Sequence, residues 1–323
     1  MFEALMTFIV TFLTAPLAIK LGLSLRILGV DVHKSWRPII PKTGGLPLIL
    51  GTIAGLLLNH VLGGGAFAGV IALSCFIAAI IGFFEDFMEE INPRLKPILL
   101  LLPALPILLA GAFTPRPVIP FLGKTRLYNI YPILVLSSYP IVCNAVNSID
   151  VLNGSMALTS IPFFVMSMII FYVRGDYQLL ILSAIFLASL LAFIPYNKYP
   201  AKIFPGNSGS LFIGAAITSI AIIGRIEIAS IIALLPQIMN EMHIIFSLGG
   251  IRSAKKFRVR PLKVEDGLLT ASEESDAPIT LLRMLCAKAR VDERSAVYAL
   301  MAISIFTSFL GLITDLLFIE GAL

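Results

Sequence analysis

Ten stretches of this chain are apolar over roughly the thickness of a bilayer: 2–23, 45–63, 66–84, 97–113, 128–146, 156–173, 178–195, 208–223, 227–248 and 297–319. A hydrocarbon core about 30 Å thick takes about 20 helical residues to cross. Inside it every backbone N–H and C=O needs a partner within the protein, which only helices and closed barrels provide. The runs are continuous rather than alternating with period two, so helices are expected and a barrel is not. Charged residues fill 13% of the 323 positions, about half of the usual share of roughly 25%. That excludes a soluble enzyme, a disordered chain and a coiled coil. The expected fold is all-α: one polytopic membrane domain over 1–323, with about ten transmembrane helices. Pro103, Pro106 and Pro236 fall inside spans, where neighbours can satisfy the freed carbonyls. Gly63-Gly64-Gly65 marks a tight turn between two helices, and the first span, which follows no basic segment, reads as uncleaved. Cys75, Cys143 and Cys286 form no CxxC pair, which argues against a disulfide framework or a zinc site.

Ten spans put both termini on one side. The connections 1–2, 3–4, 5–6, 7–8 and 9–10, with Lys20, hold nineteen of the 24 lysines and arginines; Arg116, Lys124, Arg126, Arg174 and Arg225 fall on the opposite face. Cytoplasmic loops carry the basic excess, so the first group is expected in the cytoplasm and both termini outside. Without the long connection 249–296 the split is still nine to five.

The polar motifs lie on the same side: GVDVHKSWRPIIPKTGG, FFEDFMEEINPRLK, NAVNSIDVLNG, YNKYPAKIFPGNSGS and the basic 249–296 loop between helices 9 and 10. A transporter would carry such groups near the bilayer midplane; five segments meeting at one face suit an interfacial active site, with a channel vestibule as the alternative. Glu85 and Asp86 follow the run IAAIIGFF, at a depth where an unpaired carboxylate is costly, and Lys96 is placed to face them. Glu89 and Glu90 read as a solvated helix end. Asn144, Asn147 and Asp150 share one helical face and offer the oxygen donors that Mg²⁺ accepts; hydrogen bonding between helices is the other reading. Asn153-Gly154 makes a turn. In KIFPGNSGS a helix N-terminus with free N–H groups suits an anion, and Phe204 is either a base-stacking ring or an interface anchor. The run KKFRVR is too short for a nucleic-acid domain, so no nucleic acid is expected as a partner. Its arginines suit a diphosphate clamp, or anionic lipid. Together these are the parts of phosphoryl transfer: metal ligands, cations and positioning groups.

GVDVHKS, NAVN…NG, YNKYPAKIFPGNSGS and LLPQIMN together resemble the polyprenyl-phosphate N-acetylhexosamine-1-phosphate transferases over nearly the whole chain. The resemblance is greatest to the archaeal and eukaryotic branch that uses UDP-GlcNAc and dolichyl phosphate. It implies ten helices, a cytoplasmic site and Mg²⁺, with Mn²⁺ as a substitute. The implied reaction is transfer of GlcNAc-1-phosphate to a dolichyl or polyprenyl phosphate with release of UMP, the first step of lipid-linked oligosaccharide assembly for protein N-glycosylation. Another UDP-N-acetylhexosamine used for a cell-surface polymer, or a transporter of nucleotide or lipid-linked sugar, are the alternatives. Residue by residue, the resemblance implies Asp86, Glu85 and Lys96 as catalytic and lipid-phosphate groups, and Asn153 and Phe204 as uracil contacts. Arg258, with Lys256, would clamp the donor diphosphate, and Lys34 of GVDVHKS would bind substrate. Asn144, Asn147, Asp150 and Asn207 would surround the metal. Glu85-Asp86 stands where the family has two aspartates, Val151 where it has glycine, and Asn207 where it has the metal-binding aspartate of FxGD. The histidine-rich signature of bacterial members is absent from 249–296. A cell membrane of an archaeon is the expected location, endoplasmic reticulum second, and a homodimer is left open.

Overall fold

The computed structural model describes residues 1–88, 91–250 and 259–318. Helix forms in all ten apolar stretches. Among the described residues six helices are long and apolar enough to cross a membrane: α1 (Phe2–Ser24), α3 (Phe67–Met88), α7 (Ser155–Val173), α8 (Tyr177–Asn197), α9 (Gly206–Ile223) and α13 (Glu293–Phe318). The bent pair α10 (Glu227–Ala233) and α11 (Leu235–Ser247) makes seven if it counts as one span. The chain is thus a multi-pass helical membrane protein, with six or seven spans by this measure where ten were expected. Of the rest, α2 (Gly45–Val61) is shorter, and α6 (Tyr131–Ser148) carries Ser137, Ser138, Asn144 and Asn147.

Proline accounts for both broken stretches. Residues 97–113 divide into α4 (Lys96–Leu99), a 3₁₀ turn (Leu102–Ala104) and α5 (Leu105–Leu109), with Pro103 and Pro106 in the first turns of the last two. α10 and α11 meet at a 66° bend just before Pro236. A proline has no N–H to donate and crowds the preceding turn, so the helix restarts instead of continuing. The all-α expectation needs a further correction, because among the described residues three antiparallel hairpins punctuate the helices: β1 (Leu28–Val30) with β2 (Ile39–Pro41), β3 (Val118–Ile119) with β4 (Gly123–Lys124), and β5 (Leu262–Glu265) with β6 (Leu268–Ala271).

α9 is the central helix. Every residue from Ser208 to Ile223 is buried, as expected of a helix that is apolar all round, and α3, α6 and α2 pack on it. Small residues set the spacing. A Cβ on Gly82 of α3 would lie 2.4 Å from the Asn207 carbonyl oxygen, and one on Gly214 would lie 2.6 Å from Cα of Cys143 in α6. Such glycines let helix backbones approach where lipid offers no hydrophobic drive for association.

Between α11 and α13, residues 261–291 form a small cap. Its hairpin and α12 (Leu281–Leu285) bury Leu262, Leu269, Leu282 and Cys286 against Ile149 and Leu152 of the α6–α7 turn and Ala296, Val297 and Leu300 of α13. Arg283 holds the intervening loop by donating to the carbonyls of Ser272, Ala277 and Glu274. Asn240 of α11 accepts the Leu281 N–H at 3.0 Å and donates to Ser148 at 3.0 Å, tying the cap to α6.

Candidate active site

Four connections meet at one end of the bundle through backbone contacts that glycine makes possible. Gly44 N–H donates to Phe204 O at 2.9 Å, and Phe204 N–H donates to Pro41 O at 2.8 Å. The PKTGG and IFPGNSGS segments are therefore laced together, and Gly45 sits where a Cβ would meet Ser208 Oγ at 2.4 Å. At Gly206 the backbone has φ +67°, and a Cβ there would lie 2.6 Å from Asp86 Oδ2. The glycine turns the start of α9 so that its amides face the end of α3.

Asp86 receives those amides. Its Oδ1 accepts the Asn207 backbone N–H at 2.8 Å and the Asn207 side-chain amide at 3.1 Å, while Oδ2 accepts the Ser208 N–H at 2.9 Å. The N–H groups expected to be free for a ligand anion at this helix start are therefore occupied by the protein's own carboxylate. Lys42 is near enough for its charge to act on Asp86. Of the two acids that the lysine at the start of α4 was expected to face, it pairs with Glu85: Lys96 Nζ lies 2.8 Å from Glu85 Oε2, both largely buried. The two neighbouring acids divide the work of position, one held by α9 and the other by α4.

On α6, Asn147 Oδ1 accepts the Ser210 hydroxyl at 2.7 Å, which fastens it to α9. Asn144 lies one turn before it on the same helix and is half-buried. Asp150 falls beyond the last residue of α6, in the turn that Gly154 closes at φ +85°. Loss of water pushes its carboxyl up to about 8, and the charge of Asp86 adds to that. Among the described residues no three of His, Cys, Asp and Glu form a metal cluster. Mg²⁺ is commonly held by one or two carboxylates together with substrate phosphates. Asp86, Asp150 and the amide oxygens of Asn147 and Asn207 fit an ion bound in that way.

Lys34 and Asn153 lie in a different environment from the one expected of substrate contacts. Lys34 donates to Asp31, to Asn153 Oδ1 at 2.8 Å and to Glu293 Oε2 at 3.0 Å, and all four residues are buried. Asn153 Nδ2 donates to Asp31 at 2.9 Å, its Oδ1 also accepts the Ala201 N–H at 2.8 Å, and its own N–H goes to Glu293 Oε1 at 2.9 Å. The ammonium has spent its three donors and the amide has one N–H left. The ring of Tyr199 lies 4.7 Å from Lys34 Nζ and 4.8 Å from the exposed Arg294 guanidinium. Four segments are locked here, among them the start of α13. His33, beside this network, is held at about 4 by burial, with Arg260 and Lys34 adding to the effect and Asp31 opposing it. Phe204 is half-buried. Lys256 and Arg258 lie outside the described residues. Asp31, Glu293, Ser208 and Ser210 were not singled out from sequence; Asp31 at three residues before Lys34 was the one visible signal.

A family model for glycosyl transferase family 4 matches residues 68–225, from α3 to the end of α9. A Saccharolobus solfataricus protein, provisionally named UDP-N-acetylglucosamine–dolichyl-phosphate N-acetylglucosaminephosphotransferase, is 34% identical over 73% of this chain and 74% of its own length. A Sulfolobus acidocaldarius protein with the same provisional name is 29% identical over 72% of this chain and 74% of its own. The phospho-N-acetylmuramoyl-pentapeptide-transferase of Clostridium novyi is 27% identical over 81% and 86%. The matched segment holds Glu85, Asp86, Lys96, the asparagine face of α6 and the α9 N-terminus, and a relative at 34% identity extends the likeness well beyond it. The chain belongs to glycosyl transferase family 4, the phosphoglycosyl transferases that move an N-acetylhexosamine-1-phosphate to a polyprenyl phosphate.

Proposed function

We propose that this enzyme transfers GlcNAc-1-phosphate from UDP-GlcNAc to a dolichyl-type phosphate at the cytoplasmic face of an archaeal cell membrane, beginning a lipid-linked oligosaccharide for protein N-glycosylation. The observation that carries the reading is the docking of Asp86 on the α9 N-terminus beside the Glu85–Lys96 pair, at the end of the bundle where the basic connections gather. The provisional names of the two archaeal relatives support the sugar and the lipid. Ten membrane crossings with both termini outside, as the basic-residue split suggests, put that end in the cytoplasm.

An oxygen of the lipid phosphate attacks the sugar-bearing phosphorus in line. The bond from that phosphorus to the bridging oxygen breaks, and UMP leaves with the electron pair, giving lipid-diphosphate-GlcNAc. Mg²⁺ bound at this site would supply charge neutralisation for the donor diphosphate. Lys96, held by Glu85 at the membrane boundary, binds the lipid phosphate while the tail stays in hydrocarbon. Asp86 and Asp150 present negative oxygen to the metal-bearing donor, Phe204 lies against the base, and the basic 249–296 connection with Arg258 and Lys256 draws in the diphosphate. Lys34 and Asn153 hold the start of α13, at the end of the basic 249–296 connection, through Glu293. The Clostridium novyi relative favours a second reading, the same transfer from a different UDP-N-acetylhexosamine. UMP release measured with a donor panel and with or without dolichyl phosphate separates the readings. Release that requires the lipid and is fastest with UDP-GlcNAc supports the proposal. Release without lipid, or from another donor only, contradicts it.

A further inference from the structure

Asp86 is balanced entirely by protein donors. Three N–H groups from two consecutive residues, Asn207 and Ser208, converge on its two oxygens at 2.8 to 3.1 Å. The backbone donors come from the turn at Gly206. The third is the Asn207 side chain, and it is set by residue identity alone. A carboxylate in its place would put anionic oxygen about as near to Asp86 as the amide nitrogen is now, and like charges at that distance ionise together only when a cation or proton intervenes. An amide needs neither.

We propose that Asn207 is a positioning residue that holds Asp86 in place of a resident cation, so that the divalent ion arrives with the donor diphosphate and is not stored in the free protein. A carboxylate has about four lone-pair sites, and three N–H groups already point at those of Asp86. The other protein donors are Asp150 and neutral amide oxygens, one of which, on Asn147, already accepts the Ser210 hydroxyl. Hard divalent ions favour charged oxygen, and Mg²⁺ gives up its water reluctantly. This set is short of charge until a diphosphate adds its own. The site is thus assembled before the metal, and α9 stays docked on α3 in its absence. The inference rests on the reading that the donor is a nucleotide diphosphate sugar.

The test uses the full chain in detergent or nanodiscs with Mn²⁺ as the probe, the free ion being counted by its paramagnetic resonance signal. Without lipid acceptor there is no turnover. Wild type should take up no Mn²⁺ alone, and should take up one ion per chain with UDP-GlcNAc, beyond a nucleotide-only control. Asn207→Asp should bind Mn²⁺ alone, tighter than wild type by about 10–100-fold, the range that changes around a metal site command. Its thermal midpoint should fall in metal-free buffer and recover with Mn²⁺. Mn²⁺ binding to wild type alone, as tight as to the variant, overturns the proposal, and so does a variant that gains no affinity. If the variant does not fold, the wild-type comparison with and without UDP-GlcNAc decides. If UDP-GlcNAc changes nothing in wild type while Asn207→Asp binds Mn²⁺ alone, the donor reading fails and the role of the amide stands.

Discussion

Removing the charge of Asp86 takes an anion from the donor site and one acceptor from the start of α9. Asp86→Asn should cost about 10²-fold or more in kcat, the scale of a lost electrostatic or acid–base group, whereas Lys96→Met should chiefly raise the KM for lipid phosphate. Steady-state kinetics with both substrates varied checks the split; a loss under tenfold at Asp86 would remove it from the reaction. Lys34 makes a prediction of a different kind. Lys34→Met leaves Asp31 and Glu293 as two buried carboxylates sharing no cation, and breaking a buried ion pair costs about 3–5 kcal/mol. Lys34→Met with Glu293→Gln should recover part of that in a denaturation series, and no recovery would show that the two do not act as a pair. His33 sets a pH dependence. Its imidazole is held at about 4, below the ordinary value near 6.5, so the unfolded chain binds more protons between those values. Stability is then complete above about pH 6.5 and is lost as pH falls toward 4. His33→Gln should flatten that slope in thermal melts at matched ionic strength. At this scale residue type was legible and pairing was not. Sequence marks Glu85, Asp86 and Lys96 as costly at the boundary, but which acid takes the lysine depends on the turn after α3. The buried environment of Lys34 needs Glu293, 259 residues away.

The cap over residues 261–291 is held to the bundle by Asn240, whose amide joins Ser148 to Leu281. Asn240→Ala leaves the Leu281 N–H without its acceptor, at about 1–3 kcal/mol for a group left unsatisfied out of water. Faster hydrogen exchange confined to 261–291 and the α6–α7 turn is the expected result; unchanged exchange there would show that the apolar cluster alone holds the cap. Long apolar runs were readable because membrane helices must satisfy their own backbone. The breaks were not, since a proline is tolerated or disruptive according to what its neighbours offer. The β5–β6 hairpin did carry a signal, Asp266-Gly267, with both residues at positive φ (52° and 79°), as tight hairpin turns require. The charged residues around that dipeptide made the segment read as a loop.

Across the whole molecule the glycines at 44, 45, 82 and 206 bring the ends of α2, α3 and α9 together, and the site exists because those backbones touch. The motifs named the participating segments. Their convergence on one end was expected from counting ten spans; among the described residues helix forms in each of those stretches, and six or seven helices have full spanning length. The far end has its own clamp, Arg174 on Asp315 at 2.7 Å, which joins α7 to α13 and has no part in the proposed chemistry. The central claim is that a sugar-phosphate moves, not a sugar alone and not an intact nucleotide. UDP-GlcNAc labelled at the phosphorus next to the sugar tests it most directly. With membranes holding this protein and dolichyl phosphate, the label should appear in the lipid fraction in step with unlabelled UMP. Label retained in released UDP, or in nucleotide sugar that has only crossed the membrane, would contradict the account.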